Sequence, residues 1–260
     1  MASFHLIRYP DIGATRYMGL DRPVLRATGG LLFWRLLGTG RGTSMSLGAD
    51  PRRWALLAVW RDEPALEAFL EHSPIAARWR ERASEYWHVR LTPVTSRGHW
   101  GGVAPFVPSI PPSPPIRPAS SLPLGLLSAR EPDLPTDALP RPAAKGPSTP
   151  DGPVAVLTRA SVRALRLVAF YRSIAAVDRE LRESDGCLAS LGIGEWPLVR
   201  QATFSLWRDA TAAGSFAYRG VHHRQVISRV RAENWYAEEL FARFIPYAST
   251  GTWDGRDPLR

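Results

Sequence analysis

The sequence predicts an α+β protein in which two similar βαββαβ halves close on each other, and three observations predict it. The first is an internal repeat. Trp60-Arg61-Asp62 recurs as Trp207-Arg208-Asp209, Leu37-Gly38-Thr39-Gly40 as Leu191-Gly192-Ile193-Gly194, and Trp100-Gly101-Gly102 is answered by Trp253-Asp254-Gly255. These landmarks keep one order at offsets of 147, 154 and 153 residues, as a duplication requires. The second is a change of composition between the copies: residues 103–153 hold fifteen of the 24 prolines. The third is that both copies alternate short apolar runs with amphipathic ones. The boundaries that follow are an N-terminal half at 1–102, a Pro-rich flexible linker at 103–153 and a C-terminal half at 154–260.

Each element has a local reason. Phe4–Tyr9 and Val154–Thr158 are short apolar runs suited to strands. Ser161–Glu183 reads as a helix, with Val162, Leu165, Val168, Ala169, Arg172 and Ala176 recurring at three and four and Gly186 as a stop. Its counterpart at 13–28 is poorer and interrupted by Pro23. Strands ending in the Leu-Gly-x-Gly turn and in Trp-Arg-Asp come next. Asp62 and Asp209 are each placed to cap a second helix, and Pro64 falls where a first-turn proline is tolerated. That helix breaks at Ser73-Pro74 in one half and at Arg219-Gly220 in the other, and the last strands are Val89–Val94 and Phe241–Tyr247. Strand-helix-strand-strand-helix-strand is the ferredoxin-like plan. Two such sheets can cover each other's bare faces, giving a dimeric α+β barrel within one chain. Phe241–Ile245 is apolar on both alternating faces, as a strand covered on both sides should be, with Arg243 the exception. The linker's proline runs fit neither a helix nor a central strand, so it is expected to be extended and mobile.

Composition narrows the function. The 45% hydrophobic content and ten tryptophans among 260 residues suffice for a sizeable core. The sole cysteine, Cys187, leaves no intrachain disulfide framework and no all-cysteine metal site. No apolar run reaches the length of a membrane span and the N-terminus lacks the parts of a signal peptide. The reading is a cytoplasmic protein, soluble or peripheral to the inner face of the membrane. The net charge of +9 rests on arginine, with Lys145 the only lysine, and the arginines are spread along the chain. That spread argues against a nucleic-acid partner and is equally the outcome of arginine-favouring codon usage. Walker A, G-x-G-x-x-G, H-E-x-x-H and G-x-S-x-G patterns are all lacking. His5, His72, His88 and His99 show no metal-ligand spacing and read as core or surface residues.

The stretch from Tyr218 to Trp253 carries the candidate chemistry. Arg224–Glu233 reads as an amphipathic helix with Val226, Ile227 and Val230 on one stripe. Continued back one turn, it places His223 inside that stripe and His222 at its edge. A neutral imidazole there packs as a core residue or offers nitrogen to a metal or haem iron. Spacing alone leaves both readings open.

His223, Ile227, Val230, the run Trp235-Tyr236-Ala237-Glu238-Glu239-Leu240-Phe241-Ala242-Arg243-Phe244 and the closing Gly251-Thr252-Trp253-Asp254-Gly255 resemble the C-terminal signature of the spheroidene monooxygenase family, the acyclic carotenoid 2-ketolases. The resemblance extends to Leu157-Thr158-Arg159-Ala160, Gly192-Ile193-Gly194-Glu195, Gln201, Phe204-Ser205-Leu206-Trp207, and shorter pieces of the first half. It excludes the linker, which is longer than the family's connection. The resemblance implies a haem b enzyme. Counting back from Trp235 without a gap puts the family's histidine on His223, which would bind the iron. Val226, Ile227, Val230 and Trp207 would line the cofactor, Arg159 and Arg243 would meet its propionates or stand on the distal side, and Gln201 would line the pocket. Dioxygen and an external, ferredoxin-like electron donor are implied, with hydroxylation of a long apolar polyene, twice at one carbon, giving a ketone. The alternatives are another haem reaction on the same barrel, of dehydratase or peroxidase type, and a non-catalytic haem or hydrophobe binder.

Overall fold

The computed structural model describes residues 1–40, 49–108, 152–195, 200–219, 229–230 and 232–260. The elements of the first half are β1 (Ala2–Arg8), α1 (Tyr17–Ala27), β2 (Leu31–Gly40), β3 (Ala49–Trp60), α2 (Glu63–His72), α3 (Pro74–Arg82) and β4 (Glu85–Gly98). Those of the second half are β5 (Val154–Val162), α4 (Leu167–Glu183), β6 (Cys187–Glu195), β7 (Arg200–Trp207), α5 (Ala210–Arg219) and β8 (Tyr236–Gly251). All eight strands form one closed antiparallel barrel in the order β1-β3-β2-β6-β7-β5-β8-β4. Among the described residues no helix is long and apolar enough to cross a membrane.

Strand alternation divides the core. Ala2, Phe4 and Leu6 of β1, Ala55, Leu57 and Val59 of β3, Ala155 and Leu157 of β5, and Ala202, Phe204 and Leu206 of β7 fill the barrel. Phe4 and Phe204, one from each half, stack there with ring centroids 4.1 Å apart. The outer face of the barrel carries the helices. Asp62 caps α2 through Ala65 N at 3.0 Å, and Asp209 caps α5 through Ala212 N at 2.7 Å. Trp60 and Trp207 are both buried, donating Nε1 to Ser3 Oγ at 2.8 Å and Ser205 Oγ at 2.9 Å.

Each half sends its closing Trp turn into the other. Trp100 Nε1 donates to Glu195 Oε1 at 2.5 Å, while Gly101 N and Gly102 N donate to the Glu238 carboxylate at 2.9 and 2.8 Å. In return Trp253 packs on Trp87, and Gly255 N donates to Glu85 Oε1 at 2.7 Å.

Several expectations are adjusted. Pro23 lies inside α1 without ending it. Ser161 and Val162 extend β5 because both pair with β8, so the helix begins at Leu167 rather than Ser161. Leu-Gly-x-Gly is not a turn: Gly38 and Gly194 pair across the β2–β6 seam between the halves. The final strands run far beyond the apolar cores read for them, because β4 and β8 pair along most of their length. Of the linker expected at 103–153, residues 109–151 lie outside the described residues, and its first residues are not loose: Phe106 is buried in the barrel core, its ring 4.9 Å from that of Phe244.

Candidate functional site

On the helix-facing side of the barrel, the four strands of each half of the chain form a grid of three rows of four, and the registers make the two grids directly comparable. In the first half the rows are Trp34-Ala58-Ser3-Arg90, Leu36-Leu56-His5-His88 and Gly38-Trp54-Ile7-Tyr86. In the second half they are Ser190-Ser205-Val156-Arg243, Gly192-Thr203-Thr158-Phe241 and Gly194-Gln201-Ala160-Glu239. The exchange has a direction. Trp34, Leu36, Trp54, Leu56 and His5 give way to Ser190, Gly192, Gln201, Thr203 and Thr158.

Packing follows this exchange. In the first half, Ile7, Leu56, Ala58, Trp60, Leu66, Phe69, Ile75 and Trp79 belong to one continuous cluster between sheet and helices. In the second half the described residues form two separate clusters. Val154, Leu181, Trp207, Ala212 and Ala213 make one; Ala160, Val162, Phe170, Val230 and Trp235 make the other. The small polar residues lie between them. Thr158, in the middle of a strand paired on both sides, is exposed where its counterpart His5 is fully buried. On the same side of β5, Val154, Ala160 and Val162 are buried, so the exposure is confined to the middle row of the grid.

The sequence-predicted residues distribute around this face. Val230 is buried at one end, on a segment fixed by the buried Trp235, whose backbone oxygen accepts from Arg163 N at 2.8 Å. Trp235 Nε1 donates to Glu233 Oε2 at 3.0 Å, and Arg166 and Arg229 pair with the same carboxylate at 3.1 and 3.3 Å. Burial pushes the neighbouring Tyr236 hydroxyl up to about 12. His222, His223, Val226 and Ile227 precede this anchor and lie outside the described residues. Trp207 closes the other end, its ring 5.4 Å from that of Phe216. Gln201 and Arg243 both stand on the face itself.

Arg159 does not join them. Two residues beyond Leu157 on β5, it points to the barrel side, opposite Ala202 and Leu240. There it is buried, ion-paired with Glu238 and 5.4 Å from the Trp100 ring. Period-two alternation separates it from Gln201, and it serves the joint between the halves. Burial pushes the Cys187 thiol up to about 11, away from the thiolate that nucleophilic chemistry needs.

Sequence reasoning did not single out Ser190, Thr203 or Thr158 as departures from the first half. The repeat held the signal, but comparing the copies position by position requires the strand registers.

No protein-family model matches the chain. Solved structures of aldoxime dehydratase share its fold. One aligns at TM-score 0.54 with 13% identity, covering 94% of this chain and 80% of that one. Another, in complex with butyraldoxime, aligns at 0.51 with 10% identity, covering 95% and 79%. Among curated proteins, spheroidene monooxygenase of Cereibacter sphaeroides is 32% identical over 228 residues, 87% of this chain, which spans 59% of that relative's length. Spheroidene monooxygenase of Rhodobacter capsulatus is 30% identical over 263 residues, taking in 100% of this chain and 95% of the relative. On that second match, which covers all of this chain and 95% of the relative, the chain belongs to the spheroidene monooxygenase family.

Proposed function

We propose that the protein is a haem-dependent monooxygenase that hydroxylates, and by a second turnover ketonises, a long apolar carotenoid-like polyene. The observation that carries this reading is the cut-back grid of the second half. A planar group needs a floor of short side chains, and Gly192, Ser190, Thr203 and Thr158 supply one where the first half has Leu36, Trp34, Leu56 and His5. The names of its relatives supply the reaction class and the substrate class.

The residues present fit a haem. His223 lies seven residues before Val230 in the sequence and would hold the iron. Val226 and Ile227 would lie along the ring, and Gln201, Thr203 and Arg243 would surround it. Bound haem supplies the activation of dioxygen. The chain's own work is to seat the ring, to keep the reacting carbon dry between the apolar clusters, and to leave an approach for the polyene. Each hydroxylation takes one dioxygen, two electrons and two protons, places one oxygen in the C–H bond and releases the other as water. Two at one carbon give a gem-diol, which loses water to the ketone. The electrons come from an external, ferredoxin-like donor, since the chain carries no flavin, nicotinamide or iron–sulfur motif. In this proposal the two halves are duplicated ferredoxin-like units joined by a flexible Pro-rich linker, and the active site belongs to the C-terminal one.

The test is spectroscopic first. The purified protein should show a Soret band that His223→Ala abolishes or strongly shifts, with far-ultraviolet circular dichroism unchanged and restoration by exogenous imidazole. His222→Ala should do much less. Turnover of an acyclic carotenoid with dioxygen and a reductant then separates the monooxygenase from a dehydratase-type enzyme or a non-catalytic binder. Unchanged spectra in both variants would remove this segment from the chemistry.

A further inference from the structure

The two halves treat one pair of equivalent arginines differently. Arg90 on β4 and Arg243 on β8 occupy the same corner of their grids, opposite Ser3 and Val156. Arg90 is neutralised by α2, pairing with Glu63 and, at 3.2 Å, with Glu67. Glu63 and Glu67 stand three and seven residues beyond Trp60, and the residues at those distances beyond Trp207 are Ala210 and Gly214. Helix α5 does lie beside this corner, because Ala210 and Val156 pack on the same cluster. The cation has been kept and both of its carboxylates removed.

Among the described residues Arg243 is accordingly left without a counter-ion. Its Nε is shut off from water and has no hydrogen-bond partner, and its guanidinium carbon lies 5.7 Å from the Phe241 ring. A second arginine converges on that ring. Arg97 is paired with Phe241 across β4 and β8, and its guanidinium carbon is 5.4 Å from the ring centre. Among the described residues neither arginine has an acidic partner, and Glu239, two residues before Phe241, forms no ion pair with either. A partly desolvated guanidinium with unused donors is a strong receptor for a carboxylate, which it meets with two parallel hydrogen bonds.

We propose that Arg243 and Arg97, with Phe241 between them, form a carboxylate clip that fixes the acidic edge of the ligand covering the second-half sheet. The identity of that ligand rests on the haem reading above, under which the clip takes the porphyrin propionates. The clip would orient the ring on the face, a positioning role distinct from ligating the iron.

The test titrates the full-length protein with haem, with haem dimethyl ester, which lacks the charged carboxylates, and with palmitate. Arg243→Ala and Arg97→Ala should each weaken haem binding about tenfold or more while leaving the diester unaffected, and Arg243→Lys should retain much of the affinity. Ala210→Glu, which returns the first-half carboxylate, should weaken haem binding similarly and raise the melting temperature of the ligand-free protein. Equal haem affinity in wild type and Arg243→Ala, or an equal loss for the diester, overturns the clip. If the wild type takes up no haem yet binds palmitate through Arg243, the clip stands and the haem reading falls. If neither haem nor palmitate binding depends on Arg243, the clip is wrong, whatever else the protein binds.

Discussion

His5 stands where the second half has Thr158 and His88 where it has Phe241, and both histidines are held as neutral rings. His5 is fully buried, its Nε2 2.9 Å from Ser3 Oγ, with the rings of His88 and Trp79 at 5.5 and 5.2 Å. Burial, and then its neighbour His88, hold His5 well below the ordinary histidine range, while burial and the nearby Arg90 bring His88 down to about 4. Because both folded values lie below the ordinary 6.5, the unfolded chain binds more protons in that interval. Stability is therefore complete above about pH 6.5 and declines as pH falls toward 4, where the His88 contribution is spent. For His88 this amounts to about 3 kcal/mol at 1.36 kcal/mol per pH unit. His88→Phe, the residue its counterpart Phe241 already supplies, should reduce the loss of stability between pH 7 and 4.5 by roughly 2–3 kcal/mol. Denaturant midpoints at the two pH values measure it, and an identical pH slope in the variant would refute the assignment.

At the scale of the elements, two glycines set where β4 and β8 can end. Gly98 has φ +85° and Gly251 φ +86°, and a Cβ on either would fall 2.1 Å from the Glu239 oxygen or 2.0 Å from the Tyr86 oxygen. Only glycine brings the two strands this close and still turns into Trp100 and Trp253. Gly98→Ala and Gly251→Ala should each cost at least about 2–3 kcal/mol, from left-handed strain and the backbone clash together. Losses below half a kcal/mol in urea melts would show that the seam yields. Features of this local kind were legible beforehand. The Asp62 and Asp209 caps, the break at Ser73-Pro74 and the Trp-Arg-Asp repeat all follow from a few adjacent residues. Strand ends were not legible, because Glu85, Tyr86, Ala248 and Ser249 belong to strands only through their partners on the neighbouring strand. The side of the sheet taken by Arg159 was equally hidden, since it depends on where the alternation of β5 begins relative to the barrel.

At the scale of the molecule, near-symmetry is the background against which function shows. The halves share caps, glycines at the strand ends and Trp turns, so those features belong to the fold, while among the described residues the row of short side chains and an Arg243 without an acidic partner occur in the second half alone. The expectation that the C-terminal half carries the chemistry comes from the resemblance around Trp235 and not from composition, since both halves are rich in tryptophan and arginine. It becomes a physical statement only when Leu36 is set against Gly192 and Leu56 against Thr203, residues paired within each sheet. Gly192→Leu with Thr203→Leu would rebuild the first-half row in the second. Each leucine that finds cover there stabilises by about 1.5–3 kcal/mol, an upper estimate because the neighbours must accept the added volume. The double variant of the ligand-free protein should therefore melt at a higher temperature than wild type, and it should lose haem uptake because the floor has risen. Both readouts are needed. A destabilised protein that still takes up haem normally would mean the face is already filled by its own helices and that the ligand sits elsewhere. A stabilised protein with unchanged uptake would keep the gap and remove the cofactor from it.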